Sequence, residues 1–267
     1  MQLKIHHTTH YRYENPVPYG LQRVRLIPKE NASQKILAWN TEIDGGQVEA
    51  NYTDYHNNHI LLVRIDEGAK EITIRCDGQV ETTDNNGVIG RHGGHVPLWY
   101  FLKATKRTEP TRELLAFAKA VDVDKDNALG TLHALSARIR GTVHYETGHT
   151  DADTTADMAL TGGYGVCQDH AHVFITAARI MGFPARYVSG YLMLIDQVQQ
   201  EASHAWAEAH IDGIGWVGFD ISNGISPDPR YVRIATGADY AEAAPISGVS
   251  YGGGEQTMRV NLAVEQQ

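Results

Sequence analysis

Cysteine is scarce in this chain, with two residues, Cys76 and Cys167, in 267. Two thiols cannot build the disulfide framework of a small secreted scaffold, and a reducing, cytoplasmic setting is the expectation. Long apolar runs are also missing. No window approaches the roughly 18 consecutive apolar residues of a membrane span. The opening residues Met1-Gln2-Leu3-Lys4-Ile5-His6-His7 alternate, without the apolar stretch of a secretory signal. A membrane is therefore not an expected partner. Positive charge is in deficit too: 23 Lys+Arg against 32 Asp+Glu give a net charge of −9, with no basic run to offset it. Such a surface repels phosphate backbones, which argues against nucleic acid. No glycine pattern follows a strand at phosphate-cradling spacing, and no cofactor is expected. Histidine is plentiful, at 14 residues. Its clusters (His6/His7/His10, His56/His59, His92/His95, His170/His172) lack both the helix-borne His-Glu-x-x-His arrangement and paired cysteines, so no metal site is expected.

What is present is an ordinary folded composition, 42% hydrophobic and 21% charged. The first third alternates as β structure does. Candidate strands are Leu3 to Tyr13, Gln22 to Leu26, Ile36 to Ile43, Val48 to Tyr55, His59 to Ile65 and Glu71 to Glu81, with Glu14-Asn15-Pro16 read as the first turn. This spacing predicts an antiparallel sandwich-like module over residues 1–90, left through the Gly- and Asn-rich loop around Asp84 to Gly94. The character then changes. Pro97 to Ala104 reads as a short helix, Thr111 opens another, and Asp126 to Arg140 carries apolar residues at helical spacing. A further helix begins near Cys167 and stops at Gly182 with Pro184 beyond. Three strand-like runs follow: Ala185 to Leu194, His204 to Ile211 and Trp216 to Ile221. The tail, 258–264, is strand-like and follows a glycine-rich stretch, a candidate to return and pair with the N-terminal module. Residues 91–267 would otherwise form the second unit.

Chemistry concentrates at Gly162-Gly163-Tyr164-Gly165-Val166-Cys167-Gln168-Asp169. Glycines crowd up to a cysteine at a helix start, where unpaired amide N–H groups and the helix dipole favour thiolate over thiol. The Cys167 backbone N–H can also donate to a developing oxyanion, and Tyr145 or Tyr164 is a candidate second donor. Gly165 leaves room for substrate. A thiolate needs a base. His204 opens one strand-like run, and Asp220 ends the next. Two adjacent antiparallel strands would place the end of one beside the start of the other, giving a nucleophile, base and orienting acid in Cys167, His204 and Asp220. Trp206, two residues beyond His204, is a candidate substrate contact, although buried tryptophan is more often core. Asp220 has a second reading as the cap of the turn Ser222-Asn223-Gly224. Gln168 and Asp169 suit the first helical turn through the dipole alone. Cys76, in an alternating strand, reads as a core cysteine.

Gly-Val-Cys-Gln-Asp followed by Ala-His, then His-Ala-Trp, then Gly-Phe-Asp with Asn-Gly beyond, resembles the bacterial members of the transglutaminase-like superfamily. His7 to Tyr13 resembles the opening of the β-rich N-terminal region of one bacterial branch, and Tyr231 to Tyr240 its distal segment. The resemblance implies an α+β fold, with a papain-like core in which the Cys167 helix packs on an antiparallel sheet bearing His204 and Asp220. It also implies thiol-dependent acyl transfer from an amide of a peptide or protein substrate. Hydrolysis, as by a cysteine peptidase or amidase, is favoured over transglutaminase-type amine transfer. A non-catalytic peptide-binding module would be expected to have lost one of the three residues, and all three are present.

Overall fold

The computed structural model describes residues 1–124 and 126–267. Six strands open the chain: β1 (Gln2–Val17), β2 (Tyr19–Val24), β3 (Gln34–Asp44), β4 (Gly46–Thr53), β5 (His59–Ile65) and β6 (Ala69–Thr82). Then come β7 (Val88–Gly90), two 3-10 turns (Leu98–Leu102, Lys106–Thr108), α1 (Arg112–Lys119), α2 (Ala128–Thr142), β8 (His144–Tyr145), α3 (Ala156–Gly162), β9 (Tyr164–Gly165) and α4 (Cys167–Ile180). The last part holds β10 (Ala185–Leu192), β11 (Gln199–Gln200), β12 (His204–Ile211), β13 (Gly215–Phe219), β14 (Tyr231–Gly237), α5 (Tyr240–Ala243), β15 (Ile246–Tyr251) and β16 (Gln256–Gln266).

Two antiparallel sheets, in the orders β11-β16-β1-β6-β3 and β15-β2-β5-β4, face each other as a sandwich. The C-terminal strand runs along β1 from Leu3↔Gln266 to Tyr13↔Gln256, so the chain's end belongs to the sheet that its beginning starts. Residue alternation on β1 is nearly perfect, and its buried face serves three places in turn. Leu3 and Ile5 pack with Val232 and Ile234 of the second sheet system. His7, Thr9 and Tyr11 border a cleft. Tyr13 and Val17 enter the sandwich core beside Ile72, Ile74 and Cys76. Cys76 is fully buried, as a core cysteine should be.

The other unit is an α+β core. Helix α4 lies on the sheet β14-β10-β12-β13-β7. Its closest strand presents Ala205, Ala207 and Ala209 to it, small side chains that let helix and sheet approach. Helices α1, α2 and α3 cover the remaining faces of α4. It is therefore buried nearly all round, and Val173, Phe174 and Ile175 are fully buried. Burying each such side chain stabilises the fold by about 1.5–3 kcal/mol. The helix ends where Gly182 turns left-handed (φ 91°) and Phe183 N–H reaches back to Ala178 O at 2.9 Å.

Two local expectations need correction. Glu14-Asn15-Pro16 does not end β1. Glu14 and Asn15 donate to Glu255 O and Gly253 O, while pairing with β6 shifts register between Arg12 and Val17, a bulge that accommodates a proline lacking its N–H. The glycine-rich exit loop contains β7, which edges the core sheet through Trp216↔Gly90. Contact is that close because Gly215 is a glycine: a Cβ there would stand 2.2 Å from Gly90 O. The short helix expected within Pro97 to Ala104 is present, as a 3-10 helix over Leu98–Leu102.

Candidate active site

Cys167 is the first residue of α4, so its N–H has no carbonyl one turn back to receive it. Asp169 secures this helix start. Its Oδ2 accepts from Val166 N–H at 2.8 Å and from the Thr150 hydroxyl at 2.7 Å. Burial nonetheless pushes the Asp169 carboxyl up, and its Oδ1 is buried without a partner. Gly165 packs against this carboxylate, since a Cβ at position 165 would lie 2.6 Å from Asp169 Cβ. The glycine thus makes room for the cap rather than for a ligand.

His204 starts β12 and Asp220 lies one residue beyond β13. The antiparallel pairing Ala207↔Phe219 brings them together. His204 Nε2 donates to Asp220 Oδ2 at 2.6 Å, and His204 lines the same cleft as Cys167. Burial opposes charge on the imidazole. The negative charge of Cys167 and the bond to Asp220 outweigh it, raising His204 to about 10. Asp220 is fully buried. Burial pushes its carboxyl up, but hydrogen bonds from His204, Asn223 and Tyr231 prevail and hold it low. Asp220 also caps the turn that follows it, since Asn223 N–H donates to its Oδ1 at 3.2 Å.

The two tyrosine candidates separate. The two-residue parallel pair β8–β9 sets Tyr145 level with Gly165. Its phenol borders the same cleft as Cys167, and burial and the Cys167 charge keep it protonated. Tyr164 points elsewhere and stacks on His149 at 4.9 Å. Trp206 is buried in a cluster with Val188, Leu192 and Tyr231, supporting His204 from behind and not bordering the cleft. Behind it, Glu208 takes Arg233 Nε at 2.7 Å and Arg186 Nε at 2.6 Å.

His170 and His172 are structural. His170 donates from Nε2 to Val143 O and accepts the Ser222 hydroxyl at Nδ1, both at 2.8 Å. His172, fully buried and lowered by burial to about 3, accepts Tyr240 N–H. Among the described residues, no three His, Cys, Asp or Glu side chains converge in a metal-binding group. Among the described residues, no helix is long and apolar enough to cross a membrane.

Sequence reasoning missed the residues that complete the site's surroundings. Tyr231 arrives at Asp220 from β14, with no local pattern to announce it. The cleft beyond Cys167, about 630 Å³, is walled on one side by β1 and β16 of the sandwich.

Comparison with known proteins agrees with this architecture. Residues 115–221 match the transglutaminase-like superfamily, and residues 3–81 match the bacterial transglutaminase-like N-terminal region. An uncharacterized protein of Mycobacterium leprae is 26% identical over 98% of this chain and 98% of its own. One of Mycobacterium tuberculosis is 26% identical over 98% of this chain and 91% of its own. Among solved structures, a candidate cysteine protease from Cytophaga hutchinsonii superposes with a TM-score of 0.78 at 24% identity, covering 100% of this chain and 91% of that one. Cysteine-bearing helix, antiparallel core sheet and N-terminal sandwich together place this chain in the transglutaminase-like superfamily, in its bacterial branch with the β-rich N-terminal region.

Proposed function

We propose that the protein is a thiol-dependent acyl-transfer enzyme that hydrolyses amide bonds of a peptide or isopeptide substrate. The observation that carries this reading is His204, bonded to the buried Asp220 carboxylate and lining the same cleft as Cys167. In the first step the Cys167 sulfur attacks the amide carbonyl and forms a carbon–sulfur bond. Negative charge collects on the carbonyl oxygen, where the Cys167 N–H and the Tyr145 phenol are the donors at hand. His204 then gives its proton to the departing amine as the carbon–nitrogen bond breaks, leaving a thioester. In the second step water, losing a proton to His204, attacks the thioester. The acid leaves and the thiol is restored. Asp220 fixes the imidazole orientation and stabilises its charged form.

Incubating peptide amides with the wild type and with Cys167→Ala, with and without an added primary amine, tests this. Cys167-dependent release of free acid without amine supports hydrolysis. Turnover strictly dependent on the amine would instead establish transglutaminase-type transfer.

A further inference from the structure

The cleft that extends from Cys167 is built by two parts of the chain. From the core come Leu192 and the phenols of Tyr187 and Tyr240; from the sandwich come Tyr11 of β1 with Met258 and Val260 of β16. Among the described residues, its lining holds no lysine or arginine, and its one carboxylate, Glu201, sits exposed at the rim. Tyr11, Tyr187 and Tyr240 line it together, with the Tyr187 and Tyr240 ring centroids 5.9 Å apart. None of their three hydroxyls has a hydrogen-bond partner among the described residues, and all three residues line the cleft. Burial keeps each phenol protonated.

We propose that this cleft is the subsite for a neutral, largely apolar substrate group carrying a hydrogen-bond acceptor at its tip, and that the N-terminal sandwich supplies one wall of it. The inference rests on the acyl-transfer reading for its purpose. Apolar side walls favour a hydrocarbon or aromatic body. Unpartnered phenols at depth favour an acceptor such as a carboxamide over bare hydrocarbon. A carboxylate fits poorly, because it would be desolvated with no lysine or arginine to pair with, the His204 imidazole being already engaged by Asp220. This assigns the sandwich a part in substrate selection, through residues more than 240 positions apart in sequence, Tyr11 and Met258.

The test reads the cleft without needing turnover. Cys167 is alkylated with N-phenyl iodoacetamide and its para-carbamoyl and para-carboxy derivatives, each rate being normalised to that with free mercaptoethanol and followed by intact mass. The carbamoyl reagent should react fastest and the carboxy reagent at least about tenfold more slowly than it. Tyr11→Phe should lower the carbamoyl-to-phenyl ratio. Met258→Arg, an exposed change on the sandwich wall, should speed the carboxy reagent relative to the carbamoyl reagent. Equal normalised rates for the carbamoyl and carboxy reagents, or a Met258→Arg protein with unaltered ratios, would overturn the proposal. Failure of the acyl-transfer reading shows separately, as a plain iodoacetamide rate that His204→Ala does not change.

Discussion

The Tyr231 hydroxyl donates at 2.7 Å to Asp220 Oδ2, the same oxygen that receives His204 Nε2–H at 2.6 Å. With Asn223 Nδ2 at 2.7 Å, three donors converge on one buried carboxylate oxygen, which fixes where the histidine ring can stand. Tyr231→Phe removes one charge-assisted bond while keeping the ring that packs on Trp206. Denaturant unfolding should show a loss of about 1–3 kcal/mol. Amide turnover should fall in kcat more than it rises in KM, since the phenol touches Asp220 and not the substrate. An unchanged unfolding curve and unchanged kcat would remove Tyr231 from the account.

His204 gives the fold a distinct pH dependence. Its pKa rises from the ordinary 6.5 to about 10, burial being outweighed by the Cys167 charge and Asp220. A raised folded-state pKa means stabilisation fully present below about pH 6.5 and lost as pH climbs through about 10. The stability difference between wild type and His204→Gln should therefore shrink across that window. In Cys167→Ala the imidazole loses its largest favourable partner, and its NMR titration should move down. A titration unmoved by Cys167→Ala would contradict the pairing.

The buried Glu208 has the opposite sign. Burial would raise its pKa, but Arg186 and Arg233 bring it down from 4.5 to about 2. Its stabilisation is present above about pH 4.5 and is lost as pH falls through about 2. Glu208→Gln leaves two buried guanidinium groups without their counter-charge and should cost about 3–5 kcal/mol. Chemical denaturation at pH 7 checks the magnitude, and acid titration of the wild type checks the sign.

Gly165→Ala probes the helix cap. The added methyl would meet the Asp169 side chain at 2.6 Å, so the carboxylate that caps Val166 must move. A loss of about 1–3 kcal/mol is expected by calorimetry or denaturant unfolding. Alkylation of Cys167 should slow as well, since the cap holds the nucleophile's helix turn. An alanine variant with wild-type stability and reactivity would show that the cap tolerates the shift.

Features written in short range were legible in the sequence. The alternation of β1 and β6, the Gly182 stop and the glycine approach to Cys167 each depend on neighbours within a few residues. The joining of His204 to Asp220 was legible because two consecutive antiparallel strands leave little choice of register. The proline turn at Pro16 misled, because pairing with β16 carried the strand past a local break signal. Tyr164 and Trp206 lay beside the right motifs, yet side-chain direction there was set by β9 and by packing under Tyr231. The cleft's phenols come from β1, β8, β10 and α5, and no local pattern brings those elements together.

The central claim is an activated thiol at Cys167, and its alkylation by iodoacetamide between pH 5 and 9, followed by intact mass, tests it most directly. Cys76 is fully buried and pushed up to about 11, so a single modification reports on Cys167. The account predicts fast single labelling already at the acidic end, absent in Cys167→Ala and slowed at least about tenfold in His204→Ala. Slow labelling that follows an ordinary thiol titration, and that His204→Ala leaves unchanged, would contradict it and leave a peptide-binding scaffold in place of an enzyme.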